Sequence, residues 1–175
     1  MIKLLVPGFL ALATGLGFSM NISAQAATPL DAKAAAQFQR EMRRHVGEVF
    51  PAGLMARNRL GQEVDVRDAF GSRTILLKLD KNCEPCMEII DFLQKNPPEA
   101  DTSVIVMMVD DAGEAAPDLP PEVTYLHTAE DLRSGGFLAG EYTPTTFYFD
   151  ENLRLLKREV GAPFLISNLL QFPKQ

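Results

Sequence analysis

The spacing of apolar residues divides the chain into strand-like and helix-like segments. Residues 74–79 and 103–109 are almost wholly apolar, as expected of strands that are covered on both faces. An amphipathic segment from Cys86 to Gln94 lies between them and ends before two consecutive prolines, which indicates a helix. A strand, a helix and a strand of these lengths predict a parallel crossover within one sheet.

Further strands are predicted on both sides of this unit. Residues 54–58 and 63–66 flank a turn that contains Gly61, which predicts a hairpin. Residues 145–149 and 153–160 predict a second hairpin on the antiparallel side of the sheet. Together with a short strand near Val123, these segments predict an α/β fold with a central mixed β-sheet flanked by helices.

Three further helices are predicted around the sheet. The first begins at Thr28 and keeps near-helical apolar spacing up to Pro51, with Thr at the cap and Pro at the first helical position. Thr128 offers the cap of a second helix. Residues 163–172 predict a closing helix whose inward side is apolar. The fold therefore carries an N-terminal helical extension and an N-terminal hairpin.

The first 26 residues are predicted to be a secretory signal peptide. Lys3 is followed by a short apolar run that ends near Leu16, and the segment closes on Ala24-Gln25-Ala26. This order is typical of a signal that is cleaved after Ala26. The alternative is an uncleaved membrane anchor, which the pattern favours less because Pro7 and several glycines interrupt a run shorter than the ~20 residues of a membrane span.

The predicted organisation is a signal peptide over residues 1–26, a helical extension over 27–50 and a single domain over 51–175. A chain of 175 residues accommodates one domain with modest extensions. Its net charge of −6 argues against nucleic acid and anionic membranes as partners. Export predicts a periplasmic or other extracytoplasmic location, where cysteines meet oxidising conditions.

The only two cysteines of the chain are Cys83 and Cys86. Cys83 follows a predicted strand and Cys86 opens a predicted helix. A helix N-terminus lowers the pKa of a thiol, and the thiolate is the nucleophile of disulfide exchange. This pattern favours a redox pair over a structural disulfide, which would close too small a loop to constrain the unfolded chain. A metal site is also less favoured, because His45 and His127 lack ligand spacing.

A second candidate feature is Thr143-Pro144, directly before the predicted strand 145–149. Proline is tolerated at the first residue of a strand. A cis bond here would turn the backbone of Thr143 outward, where it could pair with an extended substrate. Only ~5–6% of X-Pro bonds in folded proteins are cis, but the Cys-x-x-Cys pair upstream raises the expectation at this position.

The chain resembles the thioredoxin superfamily, and within it the extracytoplasmic thioredoxin-like reductases of the TlpA/ResA kind. The resemblance covers roughly residues 50–172. The matching pieces, in family order, are Asn58-Arg59-Leu60-Gly61-Gln62-Glu63-Val64, Asp68-Ala69-Phe70-Gly71, Cys83-Glu84-Pro85-Cys86 and Thr143-Pro144-Thr145-Thr146-Phe147. It implies a thioredoxin-like fold.

The resemblance also implies roles and partners. Cys83 would be the exposed nucleophile, Cys86 the resolving thiol and Pro144 a cis-proline packed beside them. Disulfide exchange by such a pair requires no organic cofactor and no metal. The pair would be reduced by a membrane-bound electron donor of the DsbD type. Its substrates would be disulfides of exported proteins such as apocytochrome c, which connects the chain with cytochrome c-type biogenesis.

The chain departs from the family pattern around the cysteines. Asn82 stands where thioredoxins usually carry Trp, and the position of their buried acid corresponds to Leu77. Lys78 interrupts a buried strand, which is costly unless it is paired or reaches solvent. It has either a structural role or a role in tuning the thiols.

Glu84 and Pro85, between the two cysteines, are further candidates for tuning the thiols. A negative charge at Glu84 disfavours the thiolate of Cys83, whereas the helix terminus favours it. The two effects partly cancel, so the first thiol should be less acidic than that of a strong oxidant. This balance predicts a reductase.

The sequence is also compatible with two other classes of function. One is a thioredoxin-like binding or chaperone module for a partner protein or copper, with little redox turnover. The other is an exported oxidase or isomerase. Isomerases of this kind usually dimerise, and residues 28–50 are a candidate dimer helix.

Overall fold

The computed structural model describes residues 29–109, 116–128, 136–140, 142–161 and 166–173. The helices are α1 (Pro29–Arg43) and α2 (Glu84–Lys95), and short 3-10 turns cover Val66–Ala69 and Ile166–Asn168. The strands are β1 (Met55–Asn58), β2 (Glu63–Asp65), β3 (Thr74–Leu79), β4 (Ser103–Met108), β5 (Val123–His127), β6 (Thr145–Phe149) and β7 (Leu155–Val160).

The strands of the described ranges form one mixed sheet in the order β2-β1-β5-β4-β3-β6-β7. Strand β3 pairs parallel with β4, and β4 pairs parallel with β5. The other pairs are antiparallel, including the β1–β2 and β6–β7 hairpins. The predicted mixed sheet, its parallel crossover through α2 and both hairpins are confirmed.

The two faces of the sheet bury different cores. On the side that we call the α2 face, alternate residues of β3 pack with the buried side of α2. The members contributed by these two elements are Ile75, Leu77, Leu79, Cys86, Ile89, Ile90 and Leu93. Since side chains alternate along a strand, Leu76 belongs to the opposite side, which we call the α1 face.

The core of the α1 face is rich in aromatic side chains. Phe50, Phe137 and Phe149 contact one another with ring centroids 5.3 to 6.1 Å apart. Helix α1 packs beside this core along β7. The predicted N-terminal extension therefore contacts the domain through the edge strand of the sheet.

Helix α1 ends at Arg43, eight residues before Pro51, so the prediction of a longer helix is wrong. The chain turns after Arg43, with positive φ angles of 60° at His45 and 90° at Gly47. Val49 then forms an isolated antiparallel bridge with Arg154. The apolar residues beyond the helix thus serve a turn and a sheet contact.

The prediction of a closing helix over residues 163–172 is also wrong in its described part. Residues Ile166–Asn168 form a single 3-10 turn, and Leu169 is buried in the α2-face core. The ring of Phe172 packs edge-on against Tyr148, with centroids 5.7 Å apart. The inward contacts expected of Leu169 and Phe172 therefore form without an α-helix.

Two predictions fall on residues outside the described ranges: the signal peptide over 1–26, and the helix body after Thr128. In the part of the chain that the structure describes, no helix combines the length and the apolar character needed to cross a membrane.

Candidate redox site

A short turn between β3 and α2 places Cys83. The carboxylate of Asp80 accepts a hydrogen bond from the backbone N–H of Asn82 at 2.8 Å, and the carbonyl of Asp80 accepts one from the N–H of Cys83 at 3.2 Å. Cys83 then occupies the N-cap of α2 with extended backbone angles. Asp80 thus forms the turn that ends β3, and this turn leads to Cys83, where α2 begins.

Cys83 and Cys86 form a disulfide with an S–S distance of 2.14 Å and a Cα–Cα distance of 5.2 Å. The backbone N–H of Cys86 donates to the Sγ of Cys83 at 3.2 Å. An N–H and the positive end of the helix dipole therefore point at this sulfur. In the reduced protein the same groups would stabilise a thiolate at Cys83.

The two sulfur-bearing residues differ in exposure. Cys83 is partly exposed, whereas Cys86 has a relative exposure of 0% and belongs to the apolar α2-face core. Leu77 lies in the same core, so the strand position that corresponds to the acid of thioredoxins holds no carboxylate. An external disulfide can approach Cys83 and is shielded from Cys86.

The Thr143–Pro144 peptide bond is cis. Thr145 Oγ1 donates to the carbonyl of Tyr142 at 2.7 Å, and the N–H of Gly161 donates to the carbonyl of Pro144 at 2.8 Å. Thr145 lies opposite Lys78 in the β3–β6 pairing. Pro144 therefore stands at the end of the sheet where β3 leads into the cysteine turn, and the register brings the two predicted parts of the site to this same end.

The other candidate residues do not all join this cluster. Glu84 and Pro85 are exposed in the first turn of α2, where water screens the charge of Glu84. Lys78 is 1% exposed, and strand alternation places it on the α1 face, away from Cys86. Its Nζ donates to the carbonyl of Gly140 at 2.7 Å. This placement favours the structural interpretation of Lys78 over thiol tuning.

Sequence reasoning missed a second buried cation, Arg158 of β7. Its Nη2 donates to Glu41 Oε2 of α1 at 3.1 Å and to the carbonyl of Ala139 at 2.9 Å. Burial disfavours the charged form and lowers the pKa of Arg158, while the Glu41 carboxylate acts in the opposite direction.

No simple sequence signal could have identified Arg158. The run Lys157-Arg158-Glu159 is typical of an exposed strand. A bulge shifts the pairing, so that Phe149 faces Leu155 while Tyr148 faces Lys157. The irregularity turns both Leu155 and Arg158 toward the α1 face, which strict alternation along β7 would not allow.

Comparisons with known proteins agree on the fold. No protein-family model matches the chain, and no curated protein sequence matches it significantly. A thioredoxin-like protein from Bacteroides caccae superposes with a TM-score of 0.58 at 14% identity, over 85% of this chain and 57% of that chain. The pneumococcal exposed lipoprotein thioredoxin Etrx1 from Streptococcus pneumoniae gives 0.50 at 18% identity, over 69% and 96% of the two chains.

A proposed thiol:disulfide interchange protein DsbE from Chlorobium tepidum gives a TM-score of 0.51 at 22% identity, over 68% of this chain and 87% of that chain. These similarities define the class of protein: this chain has an α/β thioredoxin-like fold. The predicted resemblance to the thioredoxin superfamily is thereby confirmed at the level of the fold.

Proposed function

We propose that the protein is an exported thiol–disulfide oxidoreductase that reduces disulfides of other extracytoplasmic proteins. The observation that carries the proposal is the unequal exposure of the cysteine pair. A partly exposed Cys83 caps a helix and is bonded to a fully buried Cys86. This arrangement gives one attacking sulfur and one protected resolving sulfur, as disulfide exchange requires.

The described structure is the oxidised state, and a donor dithiol must first reduce the pair. The thiolate of Cys83 then attacks one sulfur of a target disulfide, which forms a mixed disulfide and releases one target thiolate. The thiolate of Cys86 attacks Cys83 Sγ, which restores the Cys83–Cys86 bond and releases the second target thiol. Two electrons pass from the protein to the target, and the donor dithiol returns them in the next cycle.

The loop at Thr143-Pro144 supports a role in holding an extended substrate. The hydrogen bonds around it use the carbonyls of Tyr142 and Pro144. Within the described ranges, none of them uses the backbone groups of Thr143. Backbone groups that have no partner within the described ranges can pair with an extended strand of a target, so a target segment could align here beside Cys83.

Turnover of insulin disulfides by dithiothreitol tests the proposal. Wild-type protein should accelerate insulin reduction, and Cys83→Ser should fall to the uncatalysed rate because the attacking sulfur is gone. Cys86→Ser is the matched control, since it should still form a mixed disulfide but fail to release it. Equal rates for wild type and Cys83→Ser would contradict redox turnover and favour the binding-module alternative.

Direction and partners need separate measurements. The equilibrium constant with glutathione should place the pair among reductants, and a value near that of strong oxidants would overturn the proposed direction. Mixed disulfides trapped with Cys86→Ser in the producing cell should contain exported proteins and a membrane-bound donor of the DsbD type. An N-terminus at Ala27 in the mature protein would support export with cleavage after Ala26.

A further inference from the structure

Two buried cations hold the backbone that precedes the cis-proline loop. Lys78 Nζ bonds the carbonyl of Gly140 at 2.7 Å, and Arg158 Nη2 bonds the carbonyl of Ala139 at 2.9 Å. Both cationic side chains are 1% exposed. Burial of a charge is costly unless the charge is paired and hydrogen-bonded. The two contacts lie on adjacent carbonyls, so together they fix the backbone at positions 139 and 140.

Helix α1 completes the arrangement through Glu41. Its Oε2 lies 3.1 Å from Arg158 Nη2, and this side chain retains some solvent exposure. The Nε and Nη1 atoms of Arg158 are buried, and no residue of the described ranges hydrogen-bonds to them. Glu41 is therefore the carboxylate that compensates the charge of Arg158 in the described part of the chain.

Gly140 shows how closely the backbone approaches this ion pair. A Cβ atom at position 140 would lie 2.5 Å from Arg158 Nη2 and 3.2 Å from Glu41 Oε2. The φ angle of Gly140 is +153°, a conformation that other residues rarely adopt. Another residue at position 140 would therefore adopt a strained φ angle and would displace the end of the Arg158 side chain.

A second contact joins α1 to the loop on the other side. The ring of Phe38 meets the ring of Tyr142 edge-on, with centroids 6.3 Å apart. The carbonyl of Tyr142 in turn accepts the hydrogen bond from Thr145 Oγ1. Helix α1 is therefore linked to the segment before Pro144 in two ways: directly through the ring of Phe38, and indirectly through the ion pair of Glu41 with Arg158.

We propose that Glu41, Lys78 and Arg158 are positioning residues that fix the loop leading to Thr143-Pro144, so that Thr143 is presented to an extended segment of the substrate. The inference rests on the proposed function for its consequence in turnover, whereas the positioning itself can be measured without turnover. It predicts that the cluster matters for protein disulfides, which need a strand-like contact. A small disulfide such as glutathione disulfide needs only access to Cys83.

The test compares Glu41→Gln with Glu48→Gln. Glu48 pairs with His45 at the surface and has a side-chain exposure of 62%, so the second variant makes the same chemical change outside the cluster. In Glu41→Gln, the amide of Ala139, which donates to the carbonyl of Gly136, and the amide of Thr145 in β6 should exchange with solvent about tenfold faster, as expected for the loss of one charge-assisted hydrogen bond. The amides of α2 should remain protected at the same labelling times.

The kinetic readout separates positioning from general damage. In Glu41→Gln, KM for insulin should rise about tenfold while kcat stays constant, because only binding of the extended segment is lost. Reduction of glutathione disulfide should be unchanged, and Glu48→Gln should match wild type in every readout. A thermal melt of each variant, read beside the exchange data, distinguishes loss of loop order from unfolding of the whole domain.

Two results would overturn the inference: loop exchange in Glu41→Gln that equals that of Glu48→Gln, or an equal loss of rate with insulin and with the small disulfide. A third result would refute the proposed function and leave the positioning role intact. If wild type turns over neither disulfide while loop exchange still responds to Glu41→Gln, the redox proposal fails and the positioning role is supported.

Discussion

The two faces of the sheet stabilise the two parts of the site by different forces. On the α2 face, the disulfide rests on a continuous apolar core with Cys86 inside it. On the α1 face, the segment before Pro144 is held by Lys78 and Arg158 through hydrogen bonds. Apolar packing is insensitive to charge, whereas a buried ion pair depends on every partner. Mutations on the α2 face should therefore change stability according to the apolar volume that they remove, and mutations on the α1 face according to the charge that they leave unpaired.

The largest effect is expected on the α2 face. Leu77→Ala should lower the free energy of unfolding by about 3 kcal/mol, because Leu77 is fully buried and its truncation leaves a cavity in the core that contains Cys86. Urea denaturation measures the change. Leu60→Ala is the matched control, since Leu60 is 80% exposed and its loss should change stability by no more than about 0.5 kcal/mol.

A similarly small loss in Leu77→Ala would mean that the α2 face collapses around the cavity. The two faces would then differ less in rigidity than their packing indicates.

On the α1 face, the two partners of the ion pair should respond unequally. Glu41→Gln leaves Arg158 charged, buried and uncompensated, and should cost about 2 kcal/mol. Arg158→Met removes the buried charge together with the two donor atoms that have no partner among the described residues, so it should cost less than about 1 kcal/mol. Urea denaturation of both single variants and the double variant measures this asymmetry.

The double variant should be close to Arg158→Met alone, because Glu41, itself partly exposed, can be hydrated once the arginine is gone. A larger cost for Arg158→Met than for Glu41→Gln would show that the arginine stabilises the fold mainly through the carbonyl of Ala139.

The contrast between the faces also explains what the sequence could and could not predict. The core strands β3 and β4 and the helix between them follow from long apolar runs and from turn residues, which report local physics. The cysteine pair and Pro144 could be recognised from the sequence as well, because the Cys-x-x-Cys spacing and a proline directly before a strand are local patterns. These features account for the α2 face and for the end of the sheet at which the candidate site lies.

The α1 face depends on contacts between distant parts of the chain. Glu41 and Arg158 are 117 residues apart in sequence, and a bulge in β7 decides that Arg158 points inward. The early end of α1 likewise depends on positive φ angles at His45 and Gly47. His45 is held there partly by stacking on Phe137, a tertiary contact that local propensity does not contain.

A smaller effect concerns Tyr148, which points into the α2 face. Its hydroxyl donates to Glu159 Oε2 at 3.0 Å. Burial, the nearby charge of Glu159 and this hydrogen bond raise the pKa of Tyr148 well above its usual range. Tyr148→Phe should cost about 1 kcal/mol near neutral pH through the lost hydrogen bond.

The pH dependence of that difference follows from the raised pKa. The folded protein keeps the phenol protonated, so the contribution of Tyr148 is fully present below the pKa of an unfolded tyrosine, about 10. It is lost as the pH rises from there toward the higher pKa of the folded state. Urea midpoints of wild type and Tyr148→Phe should therefore converge above about pH 10. A gap that stays constant would show that Tyr148 ionises equally in both states.

The smallest effect is expected at Asp65, on edge strand β2. Its carboxylate accepts hydrogen bonds from the N–H of Arg67 at 3.0 Å and from the N–H of Gly53 at 3.1 Å, and these bonds lower its pKa. The contribution is present above the pKa of an unfolded aspartate, about 3.9, and is lost as the pH falls through the lower pKa of the folded state. Asp65→Asn keeps one acceptor, so it should be slightly less stable than wild type near pH 6 and equally stable in strong acid. Thermal melts across this range measure the gap, and a gap that widened in acid would contradict this role of the Asp65 carboxylate.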